Sequence, residues 1–80
     1  MTVTVLLFAR YREAAGRAAI EVEVPEAATL GQVWDAVRAG VPALRAELRP
    51  LLACDRVYAR PDRVVSGREE IAVFPPVSGG

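Results

Sequence analysis

The sequence is poor in the residues from which catalytic and metal sites are usually built. It contains no histidine, no lysine and a single cysteine, Cys54. Without histidine, neither a Ser/His/Asp triad nor a His/Cys metal site can be assembled, and no glycine-rich phosphate loop is present. One cysteine excludes an intrachain disulfide, and without a histidine base Cys54 is interpreted as a buried structural residue. We therefore expect no metal site, no bound cofactor and no enzyme that acts alone.

An excess of charge of either sign is also absent. Ten arginines balance ten acidic residues, which gives no general attraction for nucleic acid or for an anionic membrane. The chain starts in alternating apolar residues, without a basic leader or a long apolar run, so we expect a cytoplasmic protein with no secretion signal and no membrane span. Coding composition is a sufficient explanation for the missing lysines. Without lysine, the α-amino group of Met1 is the one amine of the chain that could be acylated.

Eighty residues are enough for one small domain, and its first part carries two strand patterns. Thr2 to Phe8 alternate between the two faces of a strand. A helical turn over 10–15 is predicted to end at Gly16, and 19–24 alternate again until Pro25 ends the pattern. The short connection favours an antiparallel pair of strands.

A long helix is predicted next. Thr29 and Gln32 have the spacing of a capping box, and Gly40 lies where the helix should end. Between them the apolar residues recur at helical spacing and form one face. These residues are Leu30, Val33, Trp34, Val37 and Val41. An aromatic residue in such a stripe is far more often part of a core than a cofactor-stacking residue, so Trp34 is assigned to packing.

The remaining sequence alternates short apolar segments with turn residues. Pro42 suits the start of another short helix, with Leu44 and Leu48 on its apolar side, before Pro50 ends it. A few strand residues are expected at 64–65. The further strands are predicted over 51–54, 57–59 and 71–74. The predicted turns are Asp55-Arg56, Pro61-Asp62 and Ser66-Gly67. The acidic residues that we expect to be solvated are Asp62, Glu69 and Glu70.

The last stretch is Phe74-Pro75-Pro76-Val77-Ser78-Gly79-Gly80. The prolines cannot donate to a sheet ladder and favour an extended path of about 3.1 Å per residue. The glycines have no side chains, so another protein can close around them. A frayed end is the ordinary alternative, but stiff prolines directly after an apolar strand favour a functional tail. We therefore expect a domain over 1–74 and a tail over 75–80, with the terminal carboxylate on Gly80.

With its opening Val5-Leu6-Leu7-Phe8-Ala9, the turn 9–13 and this tail, the whole chain resembles the MoaD family of ubiquitin-like proteins. Members of that family are the small, sulfur-carrying subunits of molybdopterin synthase. The resemblance implies an α+β fold of the β-grasp (ubiquitin-like) type, with a mixed sheet and one long helix across one face.

The resemblance also implies the chemistry of the tail. Gly80 would be adenylated by an ATP-using, E1-like adenylyltransferase/sulfurtransferase and converted to a thiocarboxylate, with Gly79 keeping the tail slim. In the family, the large subunit of molybdopterin synthase takes the tail into its active site, and sulfur is delivered to cyclic pyranopterin monophosphate. This chain would be the donor, and the large subunit would supply the acid-base groups that this chain lacks.

Three aromatic residues are predicted to form an apolar docking surface near the exit of the tail: Phe8, Tyr58 and Phe74. Phe8 and Phe74 end strands whose inward faces are already supplied, so their rings are candidates for contact with a partner, together with Pro75 and Pro76. Ordinary burial in the core is the alternative for each ring.

Three other functions remain open at this stage. A related carrier could serve thiamine, cysteine or tRNA thiolation with the same Gly-Gly chemistry. A protein modifier would form amide bonds from Gly80 to lysines of other proteins. A plain interaction domain would not need the two glycines at all.

Overall fold

The structure, a computed structural model, describes residues 1–76. Five strands form one sheet: β1 (Thr2–Leu7), β2 (Ala19–Glu23), β3 (Leu51–Cys54), β4 (Val57–Ala59) and β5 (Ile71–Phe74). The helical elements are α1 (Ala9–Ala15), α2 (Leu30–Gly40) and a single 3₁₀ turn (Pro42–Leu44).

The order of the strands places the last one in the middle of the sheet. Across the sheet the order is β2-β1-β5-β3-β4. β1 and β5 are parallel, and the other three neighbouring pairs are antiparallel, including the predicted pair β1–β2. The sheet is therefore mixed, and the strand that leads into the tail is supported on both sides.

One face of the sheet packs against α2 and forms the core. Alternation along β1 turns Val3, Val5 and Leu7 toward this side, and each is almost fully buried. The residues of α2 that face them are Leu30, Val33, Trp34 and Val37, which are also buried. The predicted mixed sheet with one long helix across it is thus confirmed, and burial of apolar residues between these two layers stabilises the fold.

The predicted ends of α2 are confirmed. The amide of Gln32 donates to Thr29 Oγ1 at 3.2 Å, and the amide of Thr29 donates to Gln32 Oε1 at 2.8 Å, which together make the capping box. The helix ends at Gly40. Trp34 is buried in the core with its indole Nε1 donating to the carbonyl oxygen of Glu47 at 2.8 Å, so its assignment to packing is also confirmed.

The helix predicted after Pro42 is shorter than expected. It ends at Leu44, and Leu48 is 68% exposed, so the predicted apolar stripe is wrong. The segment that follows keeps turn bonds of its own, from the amide of Arg45 to Pro42 at 3.1 Å and from the amide of Glu47 to Leu44 at 3.0 Å, and side chains of α2 also hold it. The guanidinium of Arg38 donates to the carbonyl oxygen of Arg45 at 3.1 Å, and the indole of Trp34 donates to that of Glu47, two residues further on.

The strand residues expected at 64–65 reduce to one isolated bridge between Val64 and Thr29. The amide of Val65 donates to the carbonyl oxygen of Ala28 at 2.9 Å, and the amide of Leu30 donates to Arg63 at 2.9 Å. This segment therefore pairs with the residues at the start of α2 and not with the sheet. Because a helix has no continuous row of backbone partners, the pairing stops after one bridge.

Candidate functional site

The tail leaves the sheet from its centre. β5 ends at Phe74 between β1 and β3. Pro75 is half-buried and Pro76 is exposed, and neither has a backbone N–H to continue the ladder. The predicted reactive residues, Gly79 and Gly80, lie outside the described residues. The structure therefore shows the surface around the end of β5, where the predicted tail begins.

The three predicted docking residues lie together at this exit. The rings of Phe8 and Phe74 are stacked, with centroids 4.6 Å apart and planes inclined by 15°. Tyr58 meets Phe74 edge-on, with centroids 6.0 Å apart. Both spacings are those of favourable aromatic contacts. Phe8 and Tyr58 are exposed, so their rings are not ordinary core residues, whereas Phe74 is partly buried. The role of the three rings in binding stays a prediction.

A row of residues in register across four strands forms the floor beside these rings. The row is Leu6, Ala72, Ala53 and Tyr58, each paired with the next. Alternation puts all four on the face of the sheet opposite α2. The two alanines are small, and a groove of about 410 Å³ opens above them. We call the surface formed by Leu6, Phe8, Ala53, Tyr58, Ala72 and Phe74 the aromatic face.

The hairpin turn between β3 and β4 is fastened to the start of β5. The amide of Asp55 donates to the carbonyl oxygen of Glu70 at 2.8 Å, and the amide of Glu70 donates to Asp55 Oδ1 at 2.8 Å. Both turn residues have positive φ, 49° at Asp55 and 70° at Arg56, as a tight two-residue hairpin turn requires. These contacts fix the hairpin that carries Tyr58.

A charged pair closes one end of the groove. Arg56 Nε lies 3.9 Å from Glu70 Oε1, and the two side chains are 89% and 49% exposed. Solvent screens a pair this exposed, so it adds little to stability. Both residues line the groove, and a partner that docks there meets one charge of each sign.

Phe8 reaches the aromatic face because the chain turns sharply after β1. β1 ends at Leu7, one residue earlier than predicted, and Phe8 is the extended N-cap residue of α1. Ala9 follows with a φ of 51°, a left-handed conformation that is costly for alanine. The carbonyl oxygen of Phe8 accepts from the amide of Tyr11 at 3.1 Å, and the fully buried Tyr11 anchors the helix below.

Cys54 lies on the opposite side of β3, in the core. It is 3% exposed, and burial raises the pKa of its thiol, which disfavours the nucleophilic thiolate. The interpretation of Cys54 as a buried structural residue is confirmed.

The prediction that Glu69 is solvated is wrong. Its carboxylate lies 2.7 Å from Arg63 Nη2, accepts from the amide of Ser66 at 2.8 Å, and is only 15% exposed. The bond from Arg63, followed by that from Ser66, lowers the pKa of Glu69. The pair fastens the loop before β5, away from the aromatic face.

Several residues of the groove were not predicted as site residues: Leu6, Ala53, Arg56, Glu70 and Ala72. The alternation of β1 already places Leu6 on the outward face, which is a usable signal. The alanines give no such signal, because their importance depends on which strands are neighbours. The order of the strands must be known before that row can be recognised.

No helix within residues 1–76 is long and apolar enough to cross a membrane.

The arrangement is that of a β-grasp, ubiquitin-like domain. Its first and last strands are parallel neighbours, one long helix crosses the sheet, and an exposed apolar face surrounds the exit of the last strand.

The chain belongs to the ThiS family, which its residues 5–80 match. It is 35% identical over 80 residues to the molybdopterin synthase sulfur carrier subunit of Arabidopsis thaliana, in an alignment that covers 98% of this chain and 82% of that relative. The predicted kinship with the ubiquitin-like sulfur carriers of the MoaD type is confirmed.

Two solved structures share the fold over nearly the whole chain. The small archaeal modifier protein 1 of Haloferax volcanii is 29% identical, with a TM-score of 0.86 and coverage of 95% of this chain and 98% of that one. The putative molybdopterin converting factor subunit 1 of Pyrococcus furiosus is 26% identical, with a TM-score of 0.84 and coverage of 96% and 99%. These likenesses confirm the predicted β-grasp fold.

Proposed function

We propose that this chain is the cytoplasmic sulfur carrier subunit of a molybdopterin synthase. The observation that carries the proposal is the aromatic face at the exit of β5, found in a chain that is 35% identical to a curated carrier of this kind. The likeness to the putative molybdopterin converting factor subunit 1 of Pyrococcus furiosus supports a role in the synthesis of molybdopterin.

The proposed reaction needs only a carboxylate from this chain. In an E1-like activating enzyme, the carboxylate of Gly80 attacks the α-phosphate of ATP, releases pyrophosphate and becomes an acyl-adenylate. Hydrosulfide, as the sulfur donor, then attacks the carbonyl carbon, forms the C–S bond as the bond to AMP breaks, and leaves a thiocarboxylate on Gly80. Adenylation is needed because a carboxylate is a poor electrophile, and no side chain of the carrier has to take part.

The aromatic face is the proposed docking site for both the activating enzyme and the large synthase subunit. A partner seated there would contact Phe8, Tyr58 and Phe74 and would guide Pro75 and Pro76 outward. The six residues from Pro75 to Gly80 span about 20 Å when extended, so the tail can reach an active site while the body stays outside. The large subunit would supply the acid-base groups for transfer to pyranopterin.

Intact mass measurement tests the loading step. The carrier is incubated with the activating enzyme, ATP and a sulfur donor, and we expect a mass gain equal to the exchange of one oxygen for one sulfur. The loaded carrier is then offered to the large subunit with cyclic pyranopterin monophosphate, and separately to a tRNA-thiolating system. Transfer to tRNA with none to pyranopterin would contradict the proposed acceptor.

The slimness of the tail has its own test. Gly79→Ala removes no functional group, but its methyl adds volume where the partner is expected to close around the backbone. We expect near-normal affinity for the large subunit with a reduced single-turnover transfer rate. An unchanged rate would show that a narrow channel is not used.

A second function is favoured by the likeness to the small archaeal modifier protein, at 29% identity. In that case the activated Gly80 would form amide bonds with lysines of other proteins. Covalent adducts of this chain in extracts supplied with ATP, which survive reduction and are lost when Gly80 is deleted, would support the modifier. Thiocarboxylate without such adducts would support the carrier.

A further inference from the structure

The edge of the sheet formed by β2 is separate from the aromatic face. Within residues 1–76, β2 pairs with β1 alone and is the outermost strand. The amide of Val24 donates to Met1 at 2.9 Å, and the amide of Leu7 donates to Ala18 at 2.8 Å. Bonded and non-bonded pairs alternate along an antiparallel ladder, so the even-numbered residues of β2 bond to β1 and the odd-numbered residues turn their backbone groups outward.

The outward residues of this edge are Ala19, Glu21 and Glu23. All three are exposed, and each offers one N–H and one C=O to an added strand. By contrast, β4 at the other edge is only three residues long. Among residues 1–76, β2 is therefore the longer of the two edge strands.

A groove of about 360 Å³ runs beside this edge, bordered by β2, by Ala14 and Ala15 at the end of α1, and by the C-terminal end of α2. Ile20 and Val22 line it from the strand, and Val41 lines it from the end of the helix. Val22 and Val41 are only partly buried. A Cβ placed on Gly40 would meet no heavy atom within 4 Å, so the space above the end of the helix is open.

The charged residues along β2 favour one kind of partner strand at this edge. Alternation turns the side chains of Glu21 and Glu23 away from those of Ile20 and Val22, although Glu21 also borders the groove. Glu23 accepts a hydrogen bond from the hydroxyl of Thr2. Arg17, exposed, lies at the groove itself. Two carboxylates along one edge repel a second copy of the same strand but attract basic side chains.

We propose that the β2 edge binds an extended segment of a partner protein in which basic and apolar side chains alternate. The segment adds to the sheet as a further strand, bonding to the outward backbone groups of β2. Its apolar side chains enter the groove beside Val22 and Val41, and its basic side chains face Glu21 and Glu23. Because β1 separates β2 from β5, such a segment leaves the aromatic face and the tail free for a second partner.

A short peptide in which valine alternates with arginine, blocked at both ends, is a suitable probe. Hydrogen exchange by NMR should show new protection at the amides of Ala19, Glu21 and Glu23, with little change at Ile20 and Val22, whose amides are already bonded. Nonspecific attraction to acidic residues would not produce this alternation. A uniform response along β2, or none, would overturn the proposal, and so would protection that rises with protein concentration without the peptide.

Two pairs of variants test the groove and the charges. Gly40→Gln fills the groove without a stability cost, since glutamine is the better helix former, and should weaken peptide binding at least tenfold. Ala39→Gln, one residue away on the exposed side of α2, should leave it unchanged. Glu21→Arg should weaken binding similarly, whereas Glu13→Arg on α1 should have a much smaller effect.

If the two variants of either pair bound the peptide with equal affinity, the proposed binding site on the β2 edge would be refuted. Because peptide binding requires no thiocarboxylate, the result is independent of whether the chain carries sulfur.

Discussion

Tyr58→Ala separates docking from folding at the aromatic face. The side chain is 69% exposed, so about two-thirds of its ring area is still available for a partner to bury. Losing the edge contact with Phe74 and the buried third of the ring should cost folding about 1 kcal/mol, which lowers the Tm of a domain this size by about 4–8 °C. An aromatic anchor buried in an interface is worth about 2 kcal/mol or more, so the Kd for the large synthase subunit should rise about 30-fold.

Leu48→Ala is the matched control, because Leu48 is 68% exposed but lies outside the aromatic face. It should lower the Tm by a similar amount and leave the Kd unchanged. Calorimetric titration gives the affinities, and thermal unfolding of the free carriers gives the stabilities. If both substitutions change the Kd equally, or if Tyr58→Ala leaves it unchanged, the reasoning about the aromatic face is refuted.

Three further predictions follow from single residues. Ala27 has a φ of 61°, so Ala27→Gly should raise the free energy of unfolding by about 1 kcal/mol, whereas Ala39→Gly inside α2 should lower it by about the same amount. Arg63 lowers the folded-state pKa of Glu69, so the stability that this carboxylate adds is present above its ordinary pKa and is lost as the pH falls through the lowered value. In denaturant titrations, the difference in the free energy of unfolding between the parent and Glu69→Gln should therefore shrink on acidification. One residue added after Gly80 should abolish thiocarboxylate formation, seen by intact mass, without changing the Tm.

Local patterns were sufficient to predict most of the elements. Some predictions depended only on neighbouring residues, and the structure confirms them. They are the capping box at Thr29, the end of α1 at Gly16, and the ranges of β3, β4 and β5. The segment after Leu44 could not be predicted in this way. The guanidinium of Arg38 on α2 takes the carbonyl oxygen of Arg45, which the amide of Arg49 would use in a continued helix.

The candidate site was predicted only in part, for the same reason. The rings of Phe8 and Phe74 stood out because they end predicted strands that already have apolar inward faces. The alanine floor did not, since Ala53 and Ala72 become neighbours of Leu6 and Tyr58 only after β5 has inserted between β1 and β3. Glu69 likewise pairs with Arg63, which lies in a separate turn. The number of charged residues in the sequence does not indicate which of them pair.

The parallel pairing of β1 with β5 ties the exit of the tail to the start of the chain. Phe8 follows the last paired residue of β1, and its ring stacks on that of Phe74 at the end of β5. The two rings can meet only when strands far apart in sequence have paired, a step that costs loop-closure entropy and is completed with the fold. The aromatic face therefore exists only in the folded domain. A partner that recognises this face would engage the tail of folded carriers and pass over unfolded chains that have the same two glycines.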